Sequence, residues 1–253
     1  MRTSIFSLVS LMFLASPAMA QDAADPPSDV TISGNVALVS DYRFRGVSQS
    51  DNRPAVQASV TVKHANGLYA GVWGSNIDDD SIGYGSAEID LYGGWSGELS
   101  SGLTADVGML YYLYPDAPGG VSSDSFEAYA SISGSLGPAV AKLGTNYIWG
   151  QAATGQRDNI YVYGDLSVGV PNTPVTLVAH YGYSDGAYGS ALNAAGGRLF
   201  DDGYSDWSLG ADYVTGPITL GLRYIDNDLP RVALTTSHNL AKATVMGSVT
   251  FSF

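Results

Sequence analysis

The sequence predicts an all-β fold, specifically a transmembrane, antiparallel, up-and-down β-barrel of about 12 strands. Three observations support this prediction. Apolar and polar residues alternate along segments of about ten residues, and short and long connections alternate between the segments. No apolar run after the N-terminal leader is long enough for a membrane-spanning helix. Together these features are typical of an outer-membrane barrel.

Alternation is clearest in Asn52–His64, where the even positions from Pro54 to Val62 are apolar, whereas Arg53, Gln57, Ser59, Thr61 and Lys63 at odd positions are polar. A strand with one apolar and one polar face has this pattern. The same pattern predicts twelve strands, near residues 31–45, 52–64, 67–77, 86–97, 102–114, 124–136, 139–150, 158–170, 174–184, 206–215, 217–226 and 241–253.

A soluble β-sandwich also alternates, but its outward face would be charged and its inward face bulky and apolar. Here the apolar face mixes Ala, Val, Leu and Tyr along nearly every strand. A soluble protein has no use for so wide an apolar exterior. We therefore favour a barrel in lipid, where the sheet must close because an open edge leaves backbone groups without partners.

The N-terminus has the features of a secretory signal peptide. Arg2 gives a positive start, Ile5–Ala15 an apolar stretch, and Ala18–Ala20 a small-residue cleavage site. The predicted division of the chain is a signal peptide at 1–20, a disordered lead-in at 21–30 and an outer-membrane β-barrel at 31–253.

Composition excludes several functions. The chain has 253 residues and no cysteine, which excludes disulfide scaffolds, zinc–thiolate sites, iron–sulfur clusters and thiol nucleophiles. Its 24 acidic and 11 basic residues give a net charge of −13, which argues against nucleic acid as a partner. The predicted partners are outer-membrane lipid, lipopolysaccharide, small hydrophilic solutes and, through the terminal Phe253, the outer-membrane assembly machinery.

Three stretches resemble the TorF family of candidate porins. Asp41–Gln49 is similar to the opening motif of that family, and Gly67–Ile77 and Glu88–Trp95 are similar to later parts. The resemblance implies an outer-membrane barrel with a porin function, without a characterised substrate.

Alternation places the charged side chains of the strands inside the predicted lumen, because charge facing lipid is costly. Arg43 and Arg45 are expected on the first strand and Arg53 on the second. The predicted pore-lining residues are Asp41, Arg43, Arg45, Arg53, Glu88, Asp90, Asp106, Glu127, Asp165, His180, Asp212 and Arg223.

Two arrangements of these charges are open. Arg43, Arg45 and Arg53 could form a basic wall that faces an acidic wall of Glu88, Asp90 and Glu127, which would orient polar solutes. Alternatively, the two sets could pair and plug the barrel. A 12-stranded barrel is intermediate between one filled by side chains and an open channel, so a narrow passage is expected in either case.

We expect no enzyme activity and no cofactor or metal. His180 is the one histidine that points into the predicted lumen, and no Ser/His/acid set is recognised around it. Asp78–Asp80 and Asp201–Asp202 are interpreted as solvated loop tips, with divalent cation binding as the alternative.

The expected function is passive or weakly selective diffusion of small hydrophilic solutes across the bacterial outer membrane, through a narrow, charge-lined lumen. The alternative is a non-conducting surface barrel whose outer loops bind a ligand, a divalent cation or another surface.

Overall fold

The computed structural model describes residues 29–189, 203–229 and 240–253. The predicted signal peptide, nearly all of the lead-in, and Asp201–Asp202 lie outside these residues. The described residues form 14 strands: β1 Val30–Val39, β2 Arg43–Phe44, β3 Val47–Ser48, β4 Ala55–His64, β5 Leu68–Asn76, β6 Ala87–Ser100, β7 Leu103–Leu113, β8 Ser125–Leu136, β9 Ala139–Ile148, β10 Asn159–Gly169, β11 Val175–Gly186, β12 Tyr204–Thr215, β13 Ile218–Asn227 and β14 Thr244–Ser252.

Twelve of these strands close into one antiparallel barrel, which confirms the predicted fold class. Each barrel strand pairs with the next along the chain, and β1 closes the sheet against β14. At this seam Val36 lies opposite Phe251, and Gly34 and Phe253 exchange two backbone hydrogen bonds of 3.0 Å. The closed sheet satisfies the backbone groups that an open edge would leave unpaired in lipid.

The connections that the structure describes contain three short helices: α1 at Asp79–Ile82 and 3₁₀ turns at Ala152–Thr154 and Ala187–Gly189. No helix among the described residues has the length and apolar character needed to cross a membrane.

The two faces of the sheet follow the predicted alternation. On β7, Val107 and Met109 point outward and are 48% and 47% exposed, whereas Asp106 and Leu110 point inward and are 3% exposed. Outward side chains on every barrel strand are mainly Val, Leu, Ile and Tyr. This outer surface matches the apolar band of a transmembrane barrel.

Connections differ between the two ends of the barrel. At one end the turns are short, as at Gly137-Pro138 and Gly216-Pro217, where the glycines have φ of +61° and +57°. At the other end the connections are longer, including 77–86, 114–124 and 149–158. We call the part of the barrel next to the short turns the short-turn half, and the opposite part the long-loop half.

The prediction of a first strand over residues 31–45 is wrong at its C-terminal end. Strand β1 stops at Val39, and the following segment folds into the lumen as a small hairpin of β2 and β3. Arg45 and Gly46 form its two-residue turn with φ of 47° and 81°, as a type I′ turn requires. Asp41, Arg43 and Arg45 therefore lie on a hairpin inside the barrel rather than on a barrel strand.

Candidate functional site

The hairpin Asp41–Ser50, called the inner hairpin below, satisfies much of its own polar surface. Arg43 Nε donates to Asp41 Oδ2 at 2.7 Å, and Ser48 Oγ donates to Asp41 Oδ1 at 2.6 Å. Gln49 N donates to the carbonyl oxygen of Tyr42 at 2.7 Å. The buried charge of Arg43 is thus compensated within the hairpin itself.

The tip of the inner hairpin carries Arg45, which is anchored to the opposite wall. Its Nη2 donates to Glu127 Oε2 at 2.6 Å, and the two side chains are only 2% and 1% exposed. The guanidinium also lies 4.3 Å from the ring centroid of Tyr161 and 4.7 Å from that of Phe44. A third ring, that of Tyr188, has its centroid 5.3 Å away, so a short charged hydrogen bond and three cation–π contacts hold this arginine.

Further hydrogen bonds attach the inner hairpin around the lumen. Tyr204 donates its hydroxyl to the carbonyl oxygen of Arg45, and Asn227 Nδ2 donates to that of Gly46, both at 3.0 Å. On the β6 side, the Tyr42 hydroxyl donates to Glu88 Oε2 at 3.0 Å. The hairpin therefore spans the lumen of the long-loop half from β6 to β12 and β13.

Glu88, Asp90 and Glu127 are all buried beside the inner hairpin. Glu127 accepts hydrogen bonds from Tyr112 and Asn146 as well as from Arg45. One oxygen of Asp90, Oδ1, is buried without a hydrogen-bond partner. Three carboxylates thus face one guanidinium, and this part of the lumen is acidic.

The predicted basic wall facing an acidic wall is wrong. Arg43 pairs with Asp41 on its own hairpin, and Arg45 pairs with Glu127. The alternative, ion pairing that fills the barrel, describes the long-loop half. The reason is the inner hairpin, which carries both arginines away from the strand positions that alternation assigned to them.

Arg53 is not in the lumen, so its prediction as a pore-lining residue is also wrong. It precedes β4, its side chain is 61% exposed, and it pairs with Asp51 at 2.9 Å and Asp78 at 3.1 Å. Asp79 Oδ1 accepts from Gly85 N at 2.8 Å. In the described parts of the chain, no group of three His, Asp or Glu side chains is arranged to hold a metal ion.

Nearby loops at this rim are joined by hydrogen bonds. Ser86 donates to Asp116 Oδ2 from its hydroxyl at 2.5 Å and from its backbone nitrogen at 3.0 Å. Both hydrogen bonds lower the pKa of Asp116 below its ordinary value, and the bond from the Ser86 hydroxyl has the larger effect. The exposed rim is therefore an ordered, acidic surface.

Asp106 points into the middle of the barrel, as predicted. The Tyr69 hydroxyl donates to Asp106 Oδ1 at 2.6 Å, and the hydroxyls of Tyr69 and Tyr129 are also 2.6 Å apart. Asp106 is 3% exposed. The tyrosines thus close over this carboxylate and leave little of it in contact with water.

His180 also points inward, as predicted, and both of its ring nitrogens have hydrogen-bond or ion-pair partners. Its Nδ1 lies 2.6 Å from Asp165 Oδ1, and its Nε2 lies 3.2 Å from Asp206 Oδ1 and 2.8 Å from the Tyr161 hydroxyl. Asp206 was missed by the sequence reasoning. The signal was present, because Asp206 has the same parity on its strand as the predicted Asp212.

Asp212 and Arg223 form a two-point ion pair between β12 and β13. Arg223 Nη1 and Nη2 donate to Asp212 Oδ1 and Oδ2, both at 2.9 Å. Both residues were predicted in the lumen from alternation, and the structure places them there. Lys142, on β9, is a further inward cation that was missed, although its parity on the strand also marks it.

Inward side chains become more exposed towards the short turns. The side chain of Asp206, near the inner hairpin, is 5% exposed, whereas that of Asp165, on the other side of His180, is 39% exposed. Lys142, Ser167 and Thr176 are also partly exposed. This trend holds on β9, β10 and β11; elsewhere in the short-turn half inward side chains such as Ser96, Thr219 and Thr250 are buried. The lumen is therefore packed in the long-loop half and only partly open to water in the short-turn half.

A closed single-sheet barrel with an apolar outer face and a polar lumen defines an outer-membrane β-barrel. The chain belongs to the Gcw_chp family, whose model matches residues 23–253 and is described as a bacterial protein of unknown function. No curated protein matches the sequence significantly. The finer resemblance to the TorF family stays a prediction.

Solved structures with a similar fold are porins and channels. The NanC porin has a TM-score of 0.51 at 12% identity, over 88% of this chain and 98% of that chain. The KdgM porin in complex with disordered oligogalacturonate has a TM-score of 0.55 at 8% identity, with the same shares covered. An outer membrane channel from Pseudomonas putida F1 has a TM-score of 0.52 at 11% identity, over 90% and 98%.

Proposed function

We propose that this protein is an outer-membrane porin through which small hydrophilic solutes diffuse passively or with weak selectivity. The observation that carries the proposal is the set of partly exposed, polar and charged inward side chains on β9, β10 and β11 in the short-turn half of a closed barrel, with Asp165 39% exposed. A barrel that served only as a scaffold has no need of an aqueous interior. The long-loop end faces the exterior and the short-turn end the periplasm, as in other outer-membrane barrels.

Lumen charge favours cations and neutral solutes over anions. Among the described residues, eight inward carboxylates (Asp41, Glu88, Asp90, Asp106, Glu127, Asp165, Asp206 and Asp212) outnumber five inward lysines and arginines (Arg43, Arg45, Lys63, Lys142 and Arg223). A polyanion such as the oligogalacturonate in the KdgM complex would be repelled by such a lumen. Weak cation preference is therefore part of the proposal.

The second candidate is a non-conducting barrel whose outer loops bind a ligand, a divalent cation or another surface. The inner hairpin favours this alternative, because it spans the lumen and buries Arg45 and Glu127 almost completely. Export by the signal peptide, contact with lipopolysaccharide and recognition of Phe253 by the assembly machinery belong to both proposals.

Planar-bilayer recording of refolded residues 21–253 tests the porin proposal. We expect discrete conductance steps and, in a salt gradient, a reversal potential of the sign that cation preference gives. Detergent micelles without protein are the control. A membrane that stays silent with correctly folded protein would favour the non-conducting alternative, and a clear anion preference would contradict the proposed role of the lumen charge.

A further inference from the structure

The inner hairpin is not needed to connect the strands on either side of it. Val39 at the end of β1 pairs directly with Ala55 at the start of β4. A two-residue turn is enough to join antiparallel neighbours. Residues 40–54 are therefore an insertion between two strands that already pair, and moving this insertion leaves the barrel register unchanged.

The inner hairpin can also move as one body. Its Arg43–Asp41 ion pair, the hydrogen bonds of the Ser48 and Ser50 hydroxyls and the Gln49–Tyr42 backbone hydrogen bond are internal to it. Its hydrogen bonds to Leu240, Lys242 and Asp78 lie outside it and have to break when it moves. Because the internal bonds travel with the hairpin, leaving the lumen does not leave the charge of Arg43 without a partner.

Ionic attachment to the barrel wall is concentrated at the tip. Among the described residues, Arg45–Glu127 is the one ion pair between the inner hairpin and a barrel strand. Arg45 holds a φ of 47°, an uncommon conformation for a residue with a side chain. Backbone strain at a residue whose side chain is fixed by a partner is a feature of clamps and switches.

Both ends of the insertion are suited to act as hinges. Ser40 is fixed to β14 by hydrogen bonds with Gly247 in both directions, at 2.9 Å. At the other end, Asp51 and Asn52 have consecutive positive φ values of 53° and 58°. Rotation between these points swings the hairpin while β1 and β4 stay in place.

We propose that the inner hairpin is a gate, seen here closed, whose latch is the Arg45–Glu127 ion pair. This inference rests on the proposed porin function. When the latch opens, the long-loop half becomes continuous with the open short-turn half, and Arg45 and Glu127 both face water. Neither charge is then buried without a partner, which distinguishes a gate from a fixed plug.

A reversible disulfide tests the gate. A Cβ at Gly46 would lie 3.1 Å from Asn227 Cβ, and disulfides need a Cβ–Cβ distance of about 3.5–4.5 Å. It would also lie 2.9 Å from Asp206 Cβ, and Gly46 has a φ of 81°, so the turn has to shift to accept a cysteine there. The chain has no cysteine, so Gly46→Cys with Asn227→Cys introduces one defined pair. We expect the oxidised protein to be silent in bilayers and reductant to restore conductance, whereas each single variant conducts under both conditions.

Two further variants keep the test decisive if the cysteine pair does not fold. Glu127→Gln removes the negative charge of the latch. We expect the fraction of time that the channel is open to rise at least about tenfold, because one hydrogen bond to a charged group changes an equilibrium by at least this factor. Replacing residues 40–54 by an Asn-Gly turn should give a channel that stays open. An unchanged open fraction in Glu127→Gln would contradict the latch.

The outcomes separate the gate from the porin function. Equal conductance of the oxidised and reduced pair overturns the gate and leaves the porin proposal standing. A silent natural sequence beside a permanently open Asn-Gly variant means a fixed plug, which overturns both the gate and passive diffusion. Silence of a folded Asn-Gly variant overturns the porin proposal itself.

Discussion

The long-loop half and the short-turn half of this barrel are built from the same twelve strands, yet their interiors differ. Next to the inner hairpin, Asp206 is 5% exposed and Glu127 1%, as in a protein core. Beyond His180, the side chain of Asp165 is 39% exposed. The inserted hairpin packs the long-loop half, whereas the β9–β11 side of the short-turn half stays partly exposed.

Tyrosine and glycine mark the boundary between the two halves. The rings of Tyr92, Tyr129 and Tyr163 lie across glycines on neighbouring strands; a Cβ at those glycines (Gly71, Gly108 and Gly144) would overlap the rings. This packing gives a structural role to three of the 17 tyrosines and three of the 31 glycines of the chain. It also narrows the lumen where the packed half meets the open half.

The largest effect should be on stability, when an arginine is placed on the lipid-facing side of a strand rather than on its lumen-facing side. Val107→Arg puts a cation on the outer face near mid-strand and should lower the free energy of unfolding by about 2–4 kcal/mol. Ser167→Arg, inward in the short-turn half, should change it by about 0.5 kcal/mol or less, because its charge reaches water. Urea unfolding in lipid vesicles, followed by tryptophan fluorescence, measures both. Equal losses would contradict an open short-turn half.

Alternation in the sequence was enough to predict the closed barrel and the inward strand positions of eight of the twelve candidate residues. Alternation failed to predict that β1 ends at Val39, because Asp41, Arg43 and Arg45 continue the alternation of polar residues that a strand would have. A type I′ turn at Arg45-Gly46 has a weaker local signal than the usual Asn-Gly. The hairpin is fixed instead by contacts distant in sequence, including Glu127 and Asn227.

Arg53 and His180 also show that alternation along one strand does not predict the partners of a side chain. The parity of Arg53 suited a lumen position, but β4 begins only at Ala55 and the side chain pairs with carboxylates at the rim. His180 was placed correctly, whereas its partner Asp206 is brought to it by pairing of β11 with β12. Single-strand patterns predict faces, but partners depend on register between strands.

A smaller effect should follow from the tyrosine–glycine packing. Gly108→Ala forces a methyl group into the Tyr129 ring and should lower stability by about 1–3 kcal/mol, the usual cost of overpacking. Gly247→Ala is the matched control, because a Cβ there meets no atom within 4 Å. The same unfolding assay applies. If both substitutions are neutral, the rings do not set the width of the lumen.

The smallest effect should be on ion selectivity. Asp165→Asn removes a partly exposed carboxylate from the short-turn half and should shift the reversal potential towards anions. At distances near 4 Å in water this charge contributes about 1 kcal/mol or less, so the permeability ratio should change by at most about fivefold. The shift should shrink in concentrated salt, because screening shortens the reach of the field.

Asp185→Asn makes the same charge change on an exposed outward position and should leave selectivity unchanged. If the two variants behave alike, solutes do not pass Asp165, and the open half is a water-filled cavity rather than part of the path.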